Sequence, residues 1–73
     1  SYELEADTHV RVTIFDNIGR VVKTLINNYQ SSGYKMLQWN GLDDFGRSVS
    51  GGIYLYRIEV EGDQQTKKMV FVK

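Results

Sequence analysis

Asp43 and Asp44 stand side by side in WNGLDDFGRSVSGGIYLYRI, the stretch from Trp39 to Ile58. Adjacent carboxylates, completed by a loop carbonyl, are what a hard cation such as calcium uses. No spaced D-x-D-x-D pattern surrounds them. Turn-stabilising Asp side chains bonded to nearby backbone are therefore the expectation. Trp39 could offer a sugar a flat face, but a tryptophan buried between two sheets is a normal sandwich centre, and core packing is expected. Tyr54 and Tyr56, with Arg57, could stack a ligand. A paired aromatic face on a central strand reads more simply as packing, with the hydroxyls reaching the rim. His9 is a candidate general base. It sits at a strand start with no Ser, Cys or acidic orienter placed beside it, so solvent exposure is expected. Gly41, Gly46, Gly51 and Gly52 suggest a phosphate cradle. A P-loop needs a Lys-Ser/Thr pair opening a helix, and a dinucleotide turn needs a strand-to-helix G-x-G-x-x-G; neither is present. These glycines read as backbone turns.

The composition agrees with an absence of chemistry. Nine basic and nine acidic residues cancel among 73. A neutral chain with no basic stripe is a poor binder of nucleic-acid phosphates or anionic lipid, so neither nucleic acid nor membrane insertion is expected. There is no cysteine and only one histidine, which excludes disulfides and makes zinc an unlikely guest. No nucleophile, base or metal constellation assembles, and no cofactor is expected. No apolar run approaches the roughly 20 residues of a membrane-spanning helix.

The elements that position these residues all read with period two. SYELE alternates Tyr2 and Leu4 with polar neighbours and has no lead-in, so the first strand reads as truncated and the chain as the end of a longer protein. HVRVTIF puts Val10, Val12 and Ile14 on one face, a half-buried antiparallel strand. DNIG, Asp16 to Gly19, predicts a type I turn closed by a Gly19 bulge, with RVVKTLI returning as the hairpin partner. NNYQSSG reads as a loop. YKMLQW reads as a third strand with Lys35, Leu37 and Trp39 facing in. NGLDDFGRSVSGG is a glycine-punctuated connection. IYLYRIEVE is the strongest strand signal, with Tyr54, Tyr56, Ile58 and Val60 on one face. Gly62 and Asp63 make a short hairpin turn, and QQTKKMVFVK is a strand running to the terminus. The chain shows no internal repeat and no low-complexity segment.

This pattern predicts an all-β fold, a small immunoglobulin-like antiparallel β-sandwich of about six to seven strands in a single domain over residues 1–73. Its stability is expected to rest on Trp39, Ile14, Tyr56 and Ile58. A missing first strand would leave an edge open to strand exchange or edge pairing between copies.

Three pieces in order, VRVTIFDNIGRVVKTL, SSGYKMLQWNGLDDFGRSVSGGIYLYRI and the terminal TKKMVFVK, resemble the type A C-terminal sorting domain of the type IX (Por) secretion system and are similar to the FlgD-like immunoglobulin fold. The shared features are a D-x-x-G-R turn, G-x-x-x-x-x-W-x-G, G-x-x-V-x-x-G-I-Y-x-Y-R and a K-K-M-V-x-x-K ending. The resemblance implies a non-catalytic domain covalently attached to a larger cargo protein. It implies export of that cargo from the periplasm to the cell surface or medium by a translocon, with a sortase-like protease removing the domain. Recognition would fall on Lys67, Lys68, Met69, Val70, Phe71, Val72 and Lys73. Gly19, Gly33, Gly52 and Tyr54 match the family's structural positions, beside Trp39. The proline-rich lead-in strand of that family is absent, as is proline throughout. The alternative is a spacer or adhesive module of an extracellular protein.

Overall fold

The computed structural model describes all residues, Ser1–Lys73, and contains strands and no helix. Six strands form: β1 (Tyr2–Leu4), β2 (Thr8–Asp16), β3 (Val21–Gln30), β4 (Gly33–Lys35), β5 (Gly52–Val60) and β6 (Asp63–Phe71). They make two antiparallel sheets, β3-β2-β5-β6 and β1-β4. The expected small sandwich is what the chain builds.

β2 is the centre. Val10, Val12 and Ile14 are buried, the first two completely. β-branched side chains suit a pleated, half-buried surface, which is why this run holds its strand. Leu4 closes over Val10 and Val12 from β1, with Leu25, Ile26, Leu37, Ile58 and Val60 around them. Only seven of 73 residues are buried, so each core side chain carries a large share of the stability. Ile14 belongs to this core, whereas Tyr56 and Ile58 are only half-buried.

Three expectations change. Asn27–Gln30 belong to β3 rather than to a loop. Their partners Thr8–Arg11 hold them in register, and Tyr2 donates from its hydroxyl to Gln30 Oε1 at 2.7 Å. Tertiary pairing overrides the weak strand preference of asparagine. The third strand ends at Lys35, not Trp39, because β1 offers partners only from Tyr2 to Leu4. The in-out alternation survives without the ladder: Lys35, Leu37 and Trp39 stay half-buried while Met36 and Gln38 face solvent. The last hairpin turns at Glu61–Gly62, because Val60 pairs with Asp63, and β6 stops at Phe71.

β3 carries two irregularities. Pairing jumps from Ile26 to Thr24 and from Lys23 to Val21, leaving Leu25 and Val22 as extra residues. Such bulges bend an edge strand and re-aim its side chains. Leu25 is thereby brought against the core alongside Ile26.

Candidate functional site

The strands place the reactive side chains in fold-holding roles. The stretch Asp16-Asn17-Ile18-Gly19-Arg20 recurs in pattern as Asp43-Asp44-Phe45-Gly46-Arg47. This is a short repeat that sequence reading did not register. Both segments fold alike. Gly19 N–H donates to Asp16 C=O at 3.1 Å and Asp16 N–H to Arg20 C=O at 2.9 Å. In the second turn Gly46 donates to Asp43 at 3.0 Å and Asp43 to Arg47 at 2.8 Å. Gly19 and Gly46 take φ of 91° and 79°, a left-handed conformation that any Cβ would strain.

Each Asp side chain fills its turn. Asp16 Oδ1 accepts from the backbone N–H of Ile18 (3.1 Å) and Arg20 (2.9 Å), and Oδ2 accepts from Arg20 Nε at 2.8 Å. Asp43 does the same with Phe45 (2.9 Å), Arg47 (2.9 Å) and Arg47 Nε (3.0 Å). Both carboxyl pKa values are lowered, first by the backbone N–H of Arg20 or Arg47, which favours the ionised acceptor. Asp44 turns elsewhere. Its N–H donates to Val22 C=O at 3.0 Å, and its Oδ1 accepts from Thr24 N–H at 3.0 Å, with Lys23 Nζ 3.9 Å away. It occupies outward-facing backbone groups of edge strand β3, a form of edge protection. The two adjacent carboxylates therefore serve different partners, and no group of three or more potential metal ligands gathers anywhere in the chain.

The remaining candidates separate as well. His9 is exposed, its Nε2 2.6 Å from Asn27 Oδ1 across the β2–β3 pair. Arg57 lies on the opposite face of β5 from Tyr54 and Tyr56, with its guanidinium 4.8 Å over the Phe15 ring. The three make no common stacking site. Tyr54 is buried at the start of β5 and donates from its hydroxyl to Ser50 C=O at 2.6 Å. That back-reaching bond is the tyrosine corner of immunoglobulin-like sandwiches.

Trp39 sits at one end of the sandwich rather than at its centre. Its ring is 5.1 Å from Tyr54, edge to face, and 5.1 Å from Phe71. Its Nε1 donates to Leu42 C=O at 2.9 Å. Gly41 completes the cluster. A Cβ there would fall 2.3 Å from Phe71 Cζ, and φ is 77°. No local signal marked this approach, because it joins residues thirty positions apart. Gly33 and Gly52 also hold positive φ, 127° and 153°.

The terminal run divides by burial. Met69 and Phe71 pair with Tyr54 and Gly52 and are half-buried. Lys67, Lys68, Val70, Val72 and Lys73 are exposed. Lys67 and Lys68 enter no ion pair, whereas Lys73 Nζ bonds Ser48 Oγ (2.7 Å) and Val49 C=O (3.0 Å). β6 pairs with β5 alone, so its other edge is free.

Two antiparallel sheets, a thin core between them and a tyrosine corner define an immunoglobulin-like module. The family model of the FlgD Ig-like domain matches residues 1–65, and the chain belongs to that family. The match ends before Thr66, so the whole of the terminal run from Lys67 to Lys73 lies beyond it. No curated protein and no solved structure matches the chain.

Proposed function

We propose that this chain is a non-catalytic immunoglobulin-like module of a larger extracellular protein, acting as a spacer or adhesive unit. One observation carries the reading: the aspartates, the histidine and the tryptophan singled out as candidates for chemistry are engaged in holding the fold. Asp16 and Asp43 fill their turns, Asp44 covers β3, His9 meets Asn27, and Trp39 packs on Tyr54 and Phe71. Membership of a family that is generally non-catalytic supports it.

A second reading is favoured by the terminal run: a sorting domain that takes its cargo from the periplasm to the surface through a type IX translocon, followed by a sortase-like protease. Its support is the likeness of the chain to type A sorting domains and the unpaired Lys67 and Lys68 on a free strand edge. One experiment separates the two. The chain is fused behind a periplasmic fluorescent reporter in a bacterium with a type IX system, with and without a functional translocon. Translocon-dependent appearance of the reporter outside the cell establishes sorting. Retention in the periplasm in both strains leaves the spacer or adhesive module.

A further inference from the structure

The two sheets do not match in width. Leu4 of β1, with Tyr2 and with Leu37 just past β4, covers β2 so well that Val10 and Val12 lose all exposure. Towards β5 and β6 the same inner face is left open. Ile58 and Val60 are half-exposed, and Gln65 and Lys67 are exposed, although the register sets them opposite Ile58 and Tyr56 on the side where Tyr54 and Met69 are covered. β1 pairs with β4 on one side and with nothing on the other. Between β1 and the β5–β6 hairpin runs a cleft of about 860 Å³. Strands in a sheet lie about 4.8 Å apart and packed sheets about 10 Å apart, so one further strand beside β1 would lie over Ile58 and Val60.

The rim of this cleft carries Glu3, Glu5, Asp7, Glu61 and Asp63 against Lys67. None of those five carboxylates is in an ion pair, while Arg11, Arg20, Lys23 and Arg47 all have acidic partners elsewhere. A neutral chain thus collects unpaired negative charge along an open strand edge. We propose that the cleft takes an extended, lysine- or arginine-bearing peptide segment as a third strand beside β1. Backbone pairing to β1 gives the direction, alternate apolar side chains rest on Ile58 and Val60, and the cationic ones meet Glu3, Glu5 and Glu61. A second copy is the poorer occupant. Its one lysine-rich strand, β6, has a free outer edge but comes with β5 paired along the other, so a sheet edge rather than a single strand would have to enter the cleft. The cleft beside β1 shares only Lys67 with the terminal run on which the export reading rests.

The test titrates a capped peptide alternating lysine and valine into the isotope-labelled 73-residue chain, followed by NMR. A glutamate–valine peptide of equal length is the control. Saturable shifts at residues 2–8, Ile58, Val60 and Gln65 are expected for the lysine peptide only. A β1 amide facing away from β4 should exchange more slowly with solvent. Affinity should fall about tenfold between low and high salt, and about three- to fivefold in each of Glu3→Lys and Glu61→Lys. Both sites are exposed, and retained spectral dispersion shows whether the variants stay folded; Glu5→Lys serves if either does not. Four outcomes overturn the proposal: no saturable binding, equal binding of both peptides, shifts confined to the free edge of β6, or peptide-free self-association that moves the same cleft residues.

Discussion

Gly41 is doubly constrained. Two independent constraints meet there, a φ of 77° and the Phe71 ring where a Cβ would be. Gly41→Ala must strain the backbone or push the ring away from Trp39 and Tyr54. The expected cost is about 2–4 kcal/mol, read from the shift of a urea midpoint. The same change made on Phe71→Leu should cost less, because the obstructing ring is gone. A double-mutant cycle with strictly additive losses would mean that the ring is not what Gly41 accommodates. Trp39 belongs to the same cluster. It is half-buried, so Trp39→Ala should cost about 2–3 kcal/mol, below the 3–5 expected of a fully buried aromatic. Removing the Tyr54 hydroxyl by Tyr54→Phe should cost about 1 kcal/mol, the net worth of one hydrogen bond to backbone.

At the scale of elements, the paired D-x-x-G-R turns make the fold sensitive to acid. Asp16 and Asp43 have lowered pKa values because backbone N–H groups and an arginine favour the carboxylate. In the unfolded chain both revert to about 3.9. Above that value both states are ionised, and the full contribution of the turns is present. Below it the unfolded chain binds protons first, so stability falls from about pH 4 downward until the folded carboxyls protonate too. Urea melts between neutral and acid pH should show this slope. Asp16→Asn with Asp43→Asn should flatten it, since an amide oxygen still accepts the N–H bonds but does not titrate. An unchanged slope would place the acid sensitivity elsewhere. These turns were legible in the sequence because their chemistry is local: an acceptor, a glycine and an arginine within five residues. The strand pattern of β2 and β5 was legible for the same reason. The length of β4 was not, because it depends on how few partners β1 provides. Nor was the strand character of Asn27–Gln30, which β2 imposes from across the hairpin. The site residues divide likewise. Tyr54 announced itself by its strand, while the Gly41–Phe71 approach and the Asp44 bond to β3 arise only once distant segments meet.

At the scale of the whole molecule, the terminal strand links stability to any role in recognition. Phe71 closes the aromatic cluster and Met69 lies opposite Tyr54, while the lysines beside them face solvent. Deleting residues 67–73 would therefore strip packing as well as charge, and an export defect in that deletion would not distinguish a lost signal from a lost fold. Charge removal alone avoids the ambiguity. Lys67→Gln with Lys68→Gln should leave the unfolding free energy within about 0.5 kcal/mol, since neither lysine is paired. Phe71→Ala should lose about 2–4 kcal/mol, since it removes a ring that touches Trp39 and Gly41. If the lysine variant folds normally yet leaves a reporter in the periplasm, the exposed charges are what a translocon reads. If it is exported as well as the parent chain and only Phe71→Ala fails, the terminal strand matters through the fold it completes, and the basic run is a solvated edge.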